Sequence, residues 1–485
     1  MEKKQTAGEN EKKLKWWQFS LLGVAFTIGT GYFLGSSLAI TIGGPAVLIS
    51  FVLAAFGTYM VFDVLARMTA ADPIKGSFRS YAKKAYGRWA GFSSGWVYWS
   101  SELLIMGSQL TALSLFSRFW FPAVPMWIFA TGYGILGLGI ILLGTKGFER
   151  MENLFAVIKI SAIVMFLVIA ALALFGVIRG SRAPSFPAEA STLFPAGAAG
   201  LWSSLIFAFY AFGGIEIMGL MALRLQKPEE APKAGKIMLL LLAVVYVLSL
   251  GLAVTLLPWS VFHTKESPFV LALSHYRLPF IPHVFNGVLI IAGFSTMVAS
   301  LFAVTTMLVT LAEDKDAPKL FARRWKKNLP IPALGLTACG MAASIVLALL
   351  MPEGVYEYIT TAAGLLLIYN WLFILITAGK LLRLKALGQT KRFAGIALIL
   401  LAVSGTLAHQ GSRPGFYVSL GFIGAIGLVT WIMIRKWNKA GDNTGGQEQE
   451  QEQAEAIPGS EEEWVFTPAL SIREKEDVFF RKKSK

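Results

Sequence analysis

The sequence predicts an all-α polytopic membrane protein, and three observations support that prediction. Of the 485 residues, 55% are hydrophobic and 15% are charged, and the mean hydropathy is +0.60. Apolar runs of about 20 residues, long enough to cross ~30 Å of hydrocarbon, recur along almost the whole chain. Basic residues concentrate in every second connection between these runs, which is typical of chains that cross a membrane repeatedly. A single soluble globular domain is therefore excluded.

The apolar runs, divided at glycine, proline and charged residues, give twelve candidate spans. Gly43, Gly44 and Pro45 separate the first two, because glycine takes positive φ freely and proline cannot continue the preceding helix. We expect a cytoplasmic segment at 1–15 and a transmembrane domain at 16–440. In chain order the spans are 19–42, 45–66, 90–116, 123–143, 153–178, 200–222, 236–258, 284–312, 331–351, 354–379, 393–409 and 415–435.

The distribution of lysine and arginine predicts the orientation of the chain. Thirty-one of these residues fall before the first span and in alternate connections, against six in the remaining connections. Cytoplasmic loops collect basic residues, so both termini are expected in the cytoplasm and the protein in the cytoplasmic membrane, in contact with lipid. The formal net charge of +15 has the same explanation. It does not indicate a nucleic-acid partner.

The last segment, 441–485, differs from the rest of the chain in composition. It carries eleven acids against six bases and contains a Gln-Glu repeat at 447–453. Such a polar segment cannot bury a core, so we expect a disordered, acidic cytoplasmic tail. Solvated tails often bind partners, and a protein partner of this tail is kept as a hypothesis.

The residues that would support an enzyme or a metal site are sparse. Cys339 is the only cysteine, and the four histidines show no metal-ligand spacing. No nucleophile and base stand together in a recognisable motif. The sequence therefore predicts no enzyme and no cofactor.

Glycine clusters interrupt the first and the sixth predicted spans. One lies at residues 28–35 and the other within Phe207–Glu216. Glycine weakens a helix by ~1 kcal/mol relative to alanine, and unwound backbone at membrane depth persists only where protein or water satisfies it. Close packing of small residues is the alternative explanation. The position of the clusters favours two broken helices around a binding site.

The two interrupted spans are the first and the sixth, which are five spans apart. This spacing is expected of an inverted repeat of five helices each. The two halves would cover about 19–178 and 200–379, followed by two extra helices over 393–435. In that fold exposed N–H groups at the midplane suit a carboxylate, and freed carbonyls suit an ammonium group. Such a site recognises an α-amino acid without using a charged side chain. Its predicted backbone residues are Ile28, Gly29, Thr30, Gly31, Gly213 and Gly214.

Four motifs occur in order along residues 15–330. They are Gly29–Phe33 in the first span, the stretch from Pro73 to Trp99, Phe207–Glu216 in the sixth span, and Leu311–Lys319 after the eighth. With them the sequence resembles the amino acid–polyamine–organocation superfamily, in particular its bacterial amino acid permeases. The resemblance implies the five-plus-five inverted repeat called LeuT-like.

The resemblance also implies roles for particular side chains. Phe209 and Phe212 would wall the substrate cavity, and Glu216 would act as a gate. Lys159 would stand where related transporters bind sodium, between the first, fifth and eighth helices. There its amine would contact carbonyls near residues 27–29. It would also reach the hydroxyls of Ser295 and Thr296, although both hydroxyls could simply bond their own backbone.

Ionisable residues inside membrane spans are costly and are functional candidates by default. Besides Lys159 and Glu216, these are Asp63, interpreted as a solvated helix end, and Glu102, whose role is left open. The chain also departs from the permease pattern. Arg67, Gln109 and Arg224 stand where acids are usual, so no particular substrate is transferred from a relative.

These features predict a secondary transporter that imports neutral, zwitterionic amino acids together with protons by alternating access. Gln109 is neutral, so a cationic substrate side chain would lack a dedicated partner. Three alternatives remain open: an exchanger of the same fold, a transporter-like amino acid receptor, and a membrane-embedded enzyme. Neither the transported side chain nor the oligomeric state follows from the sequence.

Overall fold

The computed structural model describes residues 13–143, 145–180, 184–185, 189–276, 278–325, 329–350 and 354–439. At 145–153, 223, 347–350 and 355 only the backbone is described. The predicted tail at 441–485 and most of the predicted N-terminal segment lie outside these residues.

Helices make up most of the described chain. Its helices are α1 (Trp16–Thr27), α2 (Thr30–Phe33), α3 (Gly35–Gly43), α4 (Val47–Ala71), α5 (Phe78–Tyr86), α6 (Arg88–Arg118), α7 (Met126–Leu142), α8 (Thr145–Leu174), α9 (Ala190–Leu193), α10 (Gly197–Tyr210), α11 (Ile215–Met221), α12 (Ala231–Leu256), α13 (Pro268–Ser274), α14 (Ile281–Glu313), α15 (Ile331–Leu350), α16 (Val355–Leu381), α17 (Ala386–Ala408) and α18 (Arg413–Lys439). A 3₁₀ turn at Gly44–Ala46, with Gly44 at φ +63°, makes the predicted turn between α3 and α4.

Eight helical runs of the described chain are long and apolar enough to cross a bilayer. Two shorter apolar helices, Met126–Leu142 and Ile331–Val346, accompany them. Each of the twelve predicted spans overlaps a helix or a broken run of helices. The prediction of an all-α polytopic membrane protein is confirmed. The count of twelve crossings, the inverted repeat and the orientation of the termini stay predictions.

Helix α6 lies at the centre of the bundle, packed against α14 on one side and α16 on the other. Its polar residues from Ser100 to Ser117 are mostly buried. Helix α10 packs against α3, α4 and α17, and α8 packs against α12 and α14. The interrupted helices α1–α2 and α10–α11 are thereby enclosed by continuous ones. This arrangement can hold unwound backbone away from lipid.

An ion-pair cluster joins α5 and α6 to the end of α14. The side chain of Arg79 is only 1% exposed, and its guanidinium pairs with Asp314 and Asp316. Arg88 Nε lies 3.1 Å from Asp316 Oδ1, and the Trp96 indole donates to the Asp316 carbonyl at 3.3 Å. Two motifs more than 200 residues apart in the sequence therefore meet in one charged cluster.

The chain before α1 is fastened to the loop after α11. The Leu14 N–H donates to the Arg224 carbonyl at 2.7 Å, and the Gln226 N–H donates back to Leu14 at 2.9 Å. Ser20 Oγ donates to the Ala234 carbonyl at 2.8 Å. Hydrogen bonds thus hold the loop after the sixth span to the start of the first span.

Candidate functional site

The first break separates α1 from α2. Ile28 and Gly29 take extended backbone conformations, and helix resumes at Thr30. In the described part of the chain, the N–H groups of Gly29, Thr30 and Gly31 donate to no backbone carbonyl. The break also frees the Ala25 carbonyl, which in a continuous helix would accept from the Gly29 N–H.

The second break separates α10 from α11. Gly214 has φ +106°, a left-handed conformation that favours glycine, and α11 begins one residue later. The Ala211 carbonyl accepts a hydrogen bond from the Tyr246 hydroxyl at 3.0 Å. The Gly214 N–H donates to Glu216 Oε1 at 3.1 Å. Side chains thus replace part of the hydrogen bonding that the break removes.

The two breaks face each other across a small cavity. A Cβ added to Gly214 would lie 3.4 Å from the Phe26 carbonyl oxygen, and one added to Gly31 would lie 3.1 Å from the Tyr210 ring. The lining residues are Phe26, Thr27, Gly29, Thr30, Gly31, Glu102, Ile105, Gln109, Tyr210, Gly213, Gly214, Ile217, Thr296, Ala299 and Ser300.

Three buried polar atoms in this lining have no hydrogen-bond partner among the described residues. They are Thr30 Oγ1, Glu102 Oε2 and Gln109 Oε1. Buried polar groups are nearly always paired, and an unpaired one costs ~1–3 kcal/mol. Together with the unpaired N–H groups at 29–31, these atoms make the cavity polar and ready to receive a ligand with both donors and acceptors.

Most of the predicted backbone residues meet at this cavity. Gly29, Thr30 and Gly31 line it from one break, and Gly213 and Gly214 line it from the other. Ile28 belongs to the break but is 1% exposed, lies outside the lining, and has its N–H bonded to Val24. The glycine clusters of the sequence therefore mark the cavity itself.

The prediction that Phe209 and Phe212 wall the cavity disagrees with the structure. Both rings are fully buried in packing: Phe209 lies against Trp371, and Phe212 lies against Phe51 and Tyr246. Successive helical residues point about 100° apart, so the intervening ring is directed elsewhere. Tyr210 is the aromatic residue in the lining, and its hydroxyl lies 2.5 Å from Ser108 Oγ.

Glu216 lies directly behind the second break and is fully buried. Its Oε1 accepts from the Gly214 N–H, and its Oε2 accepts from the Trp371 indole at 3.2 Å. An acid in the first turn of a helix is also favoured by the helix dipole. Glu216 therefore links α11 to α16, and a gating role for it remains a prediction.

Lys159 is fully buried in α8, and its Nζ donates to the Ala25 carbonyl at 2.9 Å. The contact reaches the first span, as expected, but at a carbonyl that precedes the predicted range of 27–29. Thr296 faces Gly29, while its hydroxyl donates to its own helix at Gly293. Ser295 is fully buried beside it. The structure thus joins α8 to α1 through Lys159, while coupling stays a prediction.

Sequence reasoning did not select several of the lining residues, among them Ile105, Tyr210 and Ser300. Gln109 had been noted as a neutral residue that leaves a cationic side chain without a dedicated partner, and Glu102 only as an ionisable residue in a span. Helix α6 has no glycine cluster at these positions to reveal that it faces the cavity. A polar residue in the centre of a membrane span was the available signal.

Facing helix breaks around a polar cavity, inside a multi-pass membrane bundle, are the features of a secondary transporter. The chain matches the model of the amino acid permease family over residues 18–408 and belongs to that family. It is a multi-pass amino acid transporter, and the resemblance drawn from its motifs is confirmed.

The chain is also similar to individual transporters. It is 55% identical to "Uncharacterized transporter YcgH" of Bacillus subtilis (strain 168), over 89% of this chain and 97% of that protein. It is 29% identical to "Aromatic amino acid transport protein AroP" of Escherichia coli (strain K12), over 90% of this chain and 96% of that protein. The protein of the same name in Salmonella typhimurium (strain LT2) is 29% identical over the same shares.

Proposed function

We propose that this transporter imports neutral, zwitterionic amino acids together with protons across the cytoplasmic membrane. The observation that supports it most is the cavity between the two helix breaks, where main-chain N–H groups and buried side-chain oxygens have no partner in the described chain. An amino acid offers both a carboxylate and an ammonium group. It complements a site of this kind without covalent chemistry.

The carboxylate would accept from the N–H groups of Gly29, Thr30 and Gly31. Hydrogen bonds to a charged acceptor are stronger than neutral ones, about 1.5–3 kcal/mol net each. The ammonium group would donate to carbonyls at the end of α1, near Phe26 and Thr27, across from Gly214. Such a set of main-chain N–H groups and carbonyls binds the carboxylate and the ammonium group that all α-amino acids share.

The remaining lining would receive the substrate side chain. Ile105 and Tyr210 are apolar or aromatic there, and every lining residue other than Glu102 is uncharged. A cationic side chain would meet a single acid there and would otherwise lose its hydration among uncharged groups, so neutral substrates are proposed as the preferred ones. The relatives named as aromatic amino acid transporters make phenylalanine, tyrosine and tryptophan the first to test.

Lys159 is proposed as a coupling residue. When protonated, its amine donates a hydrogen bond to the Ala25 carbonyl, which the first break leaves without its helical partner, and so connects α8 to that break. Neutral, it loses most of that attraction. Protonation or deprotonation of Nζ therefore changes the preferred position of α1 in the bundle. This change links proton movement to the side of the membrane to which the cavity is exposed.

Proteoliposomes with an imposed pH gradient test this function. Labelled neutral amino acids should accumulate with the gradient, cationic ones should not, and accumulation should stop when a protonophore removes the gradient. Uptake that requires internal amino acid would indicate an exchanger. Binding without uptake would indicate a receptor. Preferred uptake of lysine or arginine would contradict neutral selectivity.

A further inference from the structure

The side chain of a bound amino acid is expected to contact two continuous helices, α6 and α14. The interrupted helices supply the main-chain groups that are proposed to bind the carboxylate and the ammonium group. The continuous helices supply most of the remaining lining, which Tyr210 and Ile217 complete. The lining residues from α6 and α14 are Glu102, Ile105, Gln109, Thr296, Ala299 and Ser300.

The three lining residues of α6 form a single face of that helix. Residues three, four and seven apart in a helix share a face, which places Ile105 between Glu102 and Gln109. Glu102 is 2% exposed and Gln109 is 6% exposed. Glu102 Oε2 and Gln109 Oε1 have no hydrogen-bond partner in the described part of the chain. The α6 face therefore presents two buried, unpaired oxygens with an apolar side chain between them.

Neighbouring hydroxyl groups of the lining already have partners. Thr296 Oγ1 donates to the Gly293 carbonyl at 3.0 Å, and the Tyr210 hydroxyl lies 2.5 Å from Ser108 Oγ. These groups need no ligand to complete their hydrogen bonding. Among the described residues of α6 and α14, the buried lining oxygens that lack a partner are those of the α6 face.

A buried acceptor without a partner discriminates between ligands. A substrate whose side chain carries an O–H or N–H group can donate a hydrogen bond to it. An apolar side chain of the same shape leaves the oxygen buried and unpaired, and this penalty lowers the affinity. For this reason, a site that hydrogen-bonds a substrate group strongly rejects the analogue that lacks the group.

We propose that the α6 face formed by Glu102, Ile105 and Gln109 is the side-chain subsite, and that its two unpaired oxygens select neutral amino acids whose side chains donate a hydrogen bond. Serine, threonine, asparagine, glutamine, tyrosine and tryptophan belong to this class. Ile105 packs against the carbon atoms of the bound side chain. This inference rests on the proposed transport of neutral amino acids, and it narrows their class.

The first test measures equilibrium binding to the purified full-length protein at one pH. Three pairs of amino acids that match closely in size serve as ligands: tyrosine with phenylalanine, threonine with valine, and glutamine with methionine. In the pair that contains the tightest ligand, the donor-bearing member should bind at least about fivefold more tightly than its apolar partner. A smaller ratio would overturn the subsite, because the two oxygens would then not select the substrate.

The second test assigns the selection to the α6 face. Gln109→Met and Glu102→Met each remove one acceptor and keep nearly the same side-chain length. Each change removes a buried polar atom that has no partner, so both variants should fold. At least one of them should lower the affinity ratio of that pair by about threefold or more, because the donor then lacks its acceptor. A ratio that stays unchanged in both variants would overturn the proposal.

Ser114→Ala is the matched control on the same helix. Ser114 is buried in α6, its hydroxyl donates to the Leu110 carbonyl at 2.8 Å, and it does not line the cavity. This variant should keep the wild-type ratio, and an equal loss of the ratio here would overturn the assignment to the α6 face. If wild type neither binds nor accumulates any amino acid, the proposed function fails instead.

Discussion

Two polar regions of the molecule differ in how their buried polar groups are paired. One is the cavity that lies between the two helix breaks, and the other is the ion-pair cluster around Arg79. In the cluster, the Arg79 guanidinium contacts two aspartates and Arg88 adds a further contact to one of them. In the cavity, Thr30, Glu102 and Gln109 each keep a buried oxygen without a partner in the described chain. Both regions are polar and mostly buried. The charges of the cluster are paired with one another, and the one atom of Arg79 without a partner, Nε, is not in the cavity lining, whereas the unpaired oxygens of Thr30, Glu102 and Gln109 belong to residues that line the cavity.

The difference indicates separate tasks. A buried ion pair fixes the geometry between elements, since removal of one partner leaves an uncompensated charge. The cluster joins α5 and α6 to the end of α14, and so sets how these helices meet. The cavity instead leaves its hydrogen-bonding capacity to a substrate. We therefore expect changes in the cluster to reduce stability, and changes in the cavity or its coupling lysine to reduce binding or transport.

The largest effect is expected for Lys159→Ala. The change removes the cation that holds the Ala25 carbonyl, so the proton gradient should no longer drive accumulation, while substrate binding or exchange remains measurable. Uptake by proteoliposomes under an imposed pH gradient checks this. Lys75→Ala, which removes an exposed pair with Glu313, is the control and should accumulate substrate normally. Accumulation by Lys159→Ala at the wild-type rate would exclude Lys159 from the mechanism.

Arg79→Ala should affect stability rather than recognition. Removal of a fully buried partner in an ion pair costs about 3–5 kcal/mol of unfolding free energy. Unfolding by a detergent titration, followed by tryptophan fluorescence, measures it. Arg67→Ala removes a pair whose arginine is 49% exposed, and should cost less than about 1 kcal/mol. Equal stability of the two variants would contradict a structural role for the cluster.

A smaller but more local effect is expected for Gly31→Val. Its Cβ would lie 3.1 Å from the Tyr210 ring and 3.2 Å from the Tyr210 carbonyl oxygen, so the larger side chain narrows the cavity. Overpacking costs roughly 1–3 kcal/mol, and affinity should fall about tenfold or more. Gly132→Val, in open space on α7, is the control for adding valine to a helix. Unchanged affinity in well-expressed Gly31→Val protein would remove this segment from the carboxylate site.

The sequence predicted backbone features better than side-chain directions. Gly29, Gly31, Gly213 and Gly214 marked the breaks because a helix interior disfavours glycine, and the folded chain does unwind there. Phe209 and Phe212 were chosen over Tyr210 on the family resemblance, and neither a resemblance nor a composition shows which face of a helix meets a cavity. That face depends on where the break rotates the chain and on which helices pack against it.

Long-range pairing was also beyond the sequence. The motifs at 73–99 and 311–319 each suggested a loop, and nothing in either indicated that Arg79 would pair with Asp316. Helix α5 falls in a segment that the sequence predicted to be a basic connection between spans. The prediction rested on its charged residues, and it did not detect the buried face formed by Phe78, Tyr81 and Ala82.

The central claim is that unwound backbone at two breaks binds the two charged groups of an amino acid. The most direct measurement is the affinity of purified protein for its best ligand among the twenty amino acids, found by thermal stabilisation, against the N-acetyl and the carboxamide forms of that ligand. Each blocked form loses one charged group while keeping the side chain, and affinity should fall about hundredfold, equivalent to ~2.7 kcal/mol. Binding of either blocked form as tightly as the free amino acid would contradict the account.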